Sequence, residues 1–146
     1  MLTNKPLVLI LCTGNSCRSQ MAEAFLRRYA GDRYEVASAG TQPAANVHPL
    51  AVEVMSEAGI DISAQRPKDI SSFLGKQPVR HLITVCDRAS NSCPRIWPGT
   101  FTREHLPFED PAEFAGSEEE KLIGFRRVRD EIEEAMKHWK PSTSKA

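Results

Sequence analysis

Five residues separate a cysteine from an arginine in the stretch Cys12-Thr13-Gly14-Asn15-Ser16-Cys17-Arg18-Ser19. A loop of that length can curl so that backbone N–H groups, the start of a following helix and one guanidinium converge on a tetrahedral anion. The same positive field is expected to lower the pKa of Cys12. A sulfur nucleophile needs this help, because a free thiol is ionised only to a few per cent at neutral pH. Cys12 is therefore the candidate nucleophile. Thr13, Gly14, Asn15, Ser16, Cys17, Arg18 and Ser19 are the candidate oxyanion contacts. The loop lacks the glycine-lysine ending of a nucleotide-binding phosphate loop, which argues against ATP or GTP chemistry.

The flanking elements suit such a site. Leu7 to Leu11 is an unbroken apolar run that reads as a buried strand delivering Cys12 at its carboxyl end. Ser19 to Tyr29 reads as a helix with Met21, Ala22, Phe25, Leu26 and Tyr29 on one face and Gly31 as its stop. Tyr34 to Ala37 reads as a short strand. A second helix starts at Pro49, carries Ala51, Val54, Met55 and Ala58 on one face and closes before Gly59. His81 to Val85 reads as another buried strand, which delivers Cys86 much as the first delivers Cys12. In open α/β sheets the ligand crevice lies beyond the carboxyl ends of the strands, so the two sulfurs are expected on one rim.

Arg88 to Gly99, rich in Ser, Asn, Pro and Gly, reads as a mobile loop carrying Cys93. Ser117 with Glu120 forms a capping box before a long last helix with Leu122, Phe125, Val128, Ile132, Met136 and Trp139 as its apolar stripe and Pro141 at its end. Residues 142–146 read as a disordered tail, and the segment from Gln65 to Pro78 has no clear assignment. Alternating strands and helices predict an α/β fold with a mostly parallel sheet.

At 146 residues with 40% hydrophobic content the chain is expected to form one domain over residues 1–141. Zero formal net charge argues against a nucleic-acid surface, so anion recognition must be local. No apolar segment approaches the ~18 residues of a membrane span, and the N-terminus does not read as a secretory signal. A soluble cytoplasmic monomer is expected. Four cysteines fall short of a disulfide-dense secreted scaffold; in a reducing compartment they are more often catalytic, redox-active or metal-binding.

The run from Cys12 to Glu23, with Cys86 and Cys93 downstream and Asp110-Pro111 later, resembles the thioredoxin-coupled arsenate reductases built on the low-molecular-weight tyrosine phosphatase fold. Ser38-Ala39-Gly40 and the helix segment Phe125 to Ile132 extend the resemblance over nearly the whole chain. It implies a three-layer α/β fold, with a mostly parallel four-stranded sheet flanked by helices. It also implies arsenate as substrate and thioredoxin as reductant, with Cys12, Arg18, Cys86, Cys93 and Asp110 as catalytic residues. Cys12 would attack arsenic, Cys86 would attack Cys12 and release arsenite, and Cys93 would attack Cys86 to free Cys12. Two thiols leaving as one disulfide supply the two electrons that arsenate needs. Asp110 would act as general acid on a loop stiffened by Pro111. Ser19 is placed to donate to the Cys12 thiolate, and Asn15 to brace the loop. No tightly bound cofactor is implied. In some relatives the counterparts of Asn15, Glu23 and Ser38 join an aspartate, here Asp69 after an insertion, in a potassium site.

Two other readings remain. A phosphatase could use Cys12, Arg18 and Asp110 on phosphate monoesters through a phosphocysteine. Gln20, where phosphatases of this fold usually carry proline, weighs against it, as does Asp110-Pro111-Ala112-Glu113 in place of the tyrosines that commonly follow the aspartate-proline pair. A zinc-binding or redox-sensing module would use the cysteines as ligands, but their long spacings fit zinc knuckles poorly. Cys17 reads as a packing residue, and Asp110 before proline could also be a turn or cap. His48, His81, His105 and His138 show no metal-ligand spacing, and Arg126, Arg127 and Arg129 read as a solvated helical face.

Overall fold

The computed structural model describes residues 5–73, 78–85 and 102–141. Four strands, β1 (Leu7–Cys12), β2 (Glu35–Gly40), β3 (His81–Thr84) and β4 (Thr102–His105), form a parallel sheet in the order β2-β1-β3-β4. Three α-helices are described, α1 (Arg18–Ala30), α2 (Pro49–Glu57) and α3 (Glu118–Lys137), with single 3-10 turns at Ile70–Ser72 and Pro111–Glu113.

β1 is buried along its whole length, as a central parallel strand must be when both faces of the sheet are covered. Its side chains alternate. Val8, Ile10 and Cys12 enter a core with Met21, Phe25 and Leu26 of α1, Val54 and Met55 of α2, and Phe125, Val128 and Ile132 of α3. Leu7, Leu9 and Leu11 enter a smaller cluster with Ala39, Val79 and Leu82, against which Ile70 and Phe73 pack. The α/β fold with a four-stranded parallel sheet is therefore as expected.

Differences from the expected elements have local causes. β2 runs on to Gly40 because every residue from Leu7 to Cys12 has a partner between Glu35 and Gly40. β4 lies where the sequence signals no element. As an edge strand with only Thr102 buried, Thr-Arg-Glu-His has no need of an apolar run. The capping box at Ser117 and Glu120 is present, but α3 ends at Lys137, before Pro141, with the His138 N–H bonded to Glu134 O at 3.3 Å. Within the unassigned segment, Asp69 caps the turn at Ile70–Ser72 and its backbone bridges Gly40. Among the described residues, no helix is long and apolar enough to cross a membrane. The expected tail at 142–146 lies outside the described residues.

Candidate active site

The loop from Thr13 to Cys17 joins the end of β1 to the start of α1, and its backbone is held from outside. Thr41, Gln42, Ala44 and His48 donate their N–H groups to the carbonyls of Cys12, Thr13, Gly14 and Ser16 at 3.3, 2.9, 2.9 and 2.9 Å. Gln20 Nε2 donates to Asn15 O at 2.9 Å, and the Met21 N–H takes Cys17 O at 2.9 Å. All six carbonyls from Cys12 to Cys17 thus accept a hydrogen bond from outside the loop. In a planar trans peptide the following N–H points opposite to the C=O, so the amides are turned toward the concave side. The Cys17 side chain makes no capping hydrogen bond at the start of α1, the end of a helix that favours negative charge.

Two residues let the loop curl so tightly. Asn15 adopts φ 51°, a left-handed conformation that asparagine tolerates better than most side chains. Gly40 lets β2 approach, since a Cβ there would lie 2.5 Å from Thr13 O and 3.1 Å from Asn15 Cβ.

Asn15 braces the loop from a fully buried position. Its Nδ2 donates to Ser19 Oγ at 2.7 Å and Ser38 Oγ at 2.9 Å. Its Oδ1 accepts from Gln20 Nε2 at 3.1 Å and from the Lys68 N–H at 2.8 Å. These two donors fix which way the amide faces. Ser19, accepting from Asn15, keeps its own hydroxyl proton for another acceptor.

Arg18 is 7% exposed. Its Nη1 donates to Phe108 O at 3.1 Å, and its Nη2 lies 3.5 Å from Asp110 Oδ2. The loop before α3 is thereby brought to the cradle. Asp110 has two tasks, because its Oδ1 also accepts from the Ala112 N–H at 3.0 Å and caps the turn at Pro111–Glu113. One carboxylate thus faces Arg18 and caps the turn.

Cys12 and Cys17 are both buried. Burial pushes the Cys17 thiol up to about 12, against a weaker opposing effect of the Ser16 hydroxyl, which donates to its sulfur at 3.8 Å. Cys17 therefore stays protonated and packs. Cys86 and Cys93 lie outside the described residues. Val85, the residue before Cys86, donates its N–H to Leu11 O at 3.0 Å, beside the end of β1.

His48 has a structural task. Besides donating its backbone N–H to Ser16 O, it accepts from the Leu50 N–H on Nδ1 at 3.1 Å, so its ring caps α2 and lies tilted against Phe125 with centroids 4.9 Å apart. Burial holds its pKa below the usual histidine value, against the pull of Asp110 and Glu118.

Of the residues named for potassium, Asn15, Glu23 and Ser38 meet. Ser38 Oγ donates to Glu23 Oε1 at 2.5 Å. Asp69 Oδ1 accepts from the Ser71 N–H at 2.9 Å. Beside Glu23 stand two protein cations: Arg27, in a short contact with Oε2, and Lys68, whose Nζ is 3.7 Å from Oε1. Among the described residues, no group of three or more histidines, cysteines or acids could hold a metal ion. Gln20, Gln65 and Lys68 were not expected at the site. Only Gln20 was visible in the sequence, as a departure from the phosphatase proline. Its amide also donates to Arg66 O at 3.0 Å and accepts from Gln65 Nε2 at 2.6 Å.

The chain is 47% identical over 134 residues to an arsenate reductase of Halalkalibacterium halodurans, with 92% of this chain and 94% of that protein covered. Its fold matches a solved arsenate reductase in a phosphate-binding state, with TM-score 0.75, 34% identity and 90% and 93% of the two chains covered. A Corynebacterium glutamicum thioredoxin-dependent arsenate reductase matches with TM-score 0.58 and 31% identity, over 93% of this chain and 64% of that one. The family model for low molecular weight phosphotyrosine protein phosphatases matches residues 7–146. With a cysteine at the end of β1, outward-bound carbonyls around it and Arg18 closing the ring, the chain belongs to the low molecular weight phosphotyrosine protein phosphatase family.

Proposed function

We propose that this protein is an arsenate reductase. The reading is carried by the cradle from Cys12 to Arg18, in a chain close in sequence to an arsenate reductase along almost its full length. Arsenate would enter on the amides of the loop and the Arg18 guanidinium, which stabilise its negative oxygens. The Cys12 thiolate attacks arsenic, and a hydroxide departs as water after taking a proton from Asp110.

The reduction itself needs a second sulfur. Cys86 thiolate attacks the Cys12 sulfur, the electron pair of the S–As bond stays on arsenic, and arsenite leaves with arsenic reduced by two electrons. Cys93 then attacks Cys86, restoring the Cys12 thiolate and moving the disulfide to Cys86 and Cys93. A thioredoxin dithiol is the reductant of choice, because the chain carries its own exchange pair and a relative bears that dependence in its name. Thiolate chemistry of this kind fits a reducing compartment such as the cytoplasm.

A single arsenate turnover with mapping of trapped disulfides tests the scheme. Wild-type protein should yield a Cys86–Cys93 bond, and Cys93→Ser should stall with Cys12 bonded to Cys86. Phosphate-ester turnover with no disulfide after arsenate exposure would replace this reading with the phosphatase one.

A further inference from the structure

We propose that Lys68, with Arg27, supplies from within the chain the positive charge that a monovalent cation would bring to Glu23, so that the anion cradle needs no potassium. Glu23 is 4% exposed, and a carboxylate so placed requires a countercharge. Both of its oxygens already face one. Oε2 meets Arg27, while Oε1 accepts from Ser38 and stands 3.7 Å from Lys68 Nζ.

With the ammonium in place, the neighbouring polar groups are turned toward one another. Asn15 turns its NH2 group toward Ser38, while its only acceptor oxygen faces Gln20 and the Lys68 N–H on the other side. Ser38 gives its proton to Glu23 and accepts from Asn15. While the ammonium stands beside Glu23, a potassium ion there would meet that positive charge and the Asn15 NH2 hydrogens; without it, Glu23 Oε1 and Arg66 O would face the vacated place.

Lys68 is tied to the cradle at three points. Its N–H holds Asn15 Oδ1 at 2.8 Å, its carbonyl accepts from the Gly40 N–H at 2.7 Å, and its ammonium lies by Glu23 while donating to Arg66 O at 3.1 Å. The route from ammonium to anion loop is Glu23, Ser38, Asn15, each hydrogen-bonded to the next. Lys68 is thus a positioning residue, acting on the substrate through Asn15.

The test measures thermal unfolding and arsenate kinetics of reduced wild-type, Lys68→Met and Lys68→Arg proteins in potassium chloride and in choline chloride at matched ionic strength. Wild type and Lys68→Arg should show the same Tm and KM in both salts. Lys68→Met should show a KM for arsenate raised about tenfold in choline, with kcat changed less, because a loosened cradle weakens binding first. Potassium, but not choline, should raise its Tm and restore part of its KM, by entering the place the ammonium left. A potassium-specific rise in wild-type Tm would overturn the proposal, as would a Lys68→Met protein indifferent to potassium. Should Lys68→Met fail to fold, the wild-type and Lys68→Arg unfolding curves decide alone. Unfolding does not depend on the reductase reading, so the two can fail separately.

Discussion

The Arg18 guanidinium stands 3.5 Å from the Asp110 carboxylate, joining the cradle after β1 to the loop before α3. Arg18→Lys keeps the charge but loses the planar fork that reaches both Phe108 O and Asp110. Steady-state assays should show kcat/KM for arsenate lower by about a hundred- to a thousandfold. Asp110→Asn can still cap the turn through its amide oxygen, so it should fold normally while kcat falls about a hundredfold or more. Equal unfolding midpoints with unequal kcat would separate the two tasks of this carboxylate.

Gln20 spans Asn15, Arg66 and Gln65 from the first turn of α1. Gln20→Leu leaves Asn15 O without that donor in a buried place, at a cost of about 1–3 kcal/mol. Urea unfolding should report that loss, and the arsenate KM should rise while the reaction still reaches its disulfide.

At Gly40 an added Cβ would meet Thr13 O at 2.5 Å, and backbone cannot yield cheaply. Gly40→Ala should destabilise by about 1–3 kcal/mol and raise the arsenate KM, since any relief must push the anion loop. A variant with wild-type stability and KM would show that β2 does not press on the loop.

Burial lowers the pKa values of both His48 and His81 in the folded chain. The unfolded chain then binds more protons, so this contribution to stability is full above the ordinary histidine pKa of about 6.5 and is lost as pH falls through the depressed folded values. Urea unfolding between mildly alkaline and mildly acidic pH should show the decline starting near that value. His48→Asn keeps an α2 cap without titrating, so its decline should be shallower.

With its pKa near 12, Cys17 should stay unmodified when iodoacetamide labels the reduced protein at neutral pH, while Cys12 reacts and is protected by arsenate. Peptide mass mapping distinguishes them. Cys17→Ala should turn over arsenate within a few-fold of wild type, as packing rather than chemistry is what it removes.

The spacing from Cys12 to Arg18, the apolar runs of β1 and β3, the faces of α1, α2 and α3 and the Ser117 capping box were all legible in the sequence. Each is a local matter, settled by strand or helix period and by neighbours a few positions apart. The polar edge strand β4 was not, because one paired edge and a single buried side chain leave no period to read. Nor was the holding of the cradle. Thr41 to His48 take its carbonyls, Gln20 and Lys68 orient Asn15, and Lys68 and Arg27 answer the charge of Glu23. The residue types for the chemistry belong to the sequence alone. Which groups hold them in place was decided by packing of the sheet, which brings segments far apart in the chain within hydrogen-bond reach.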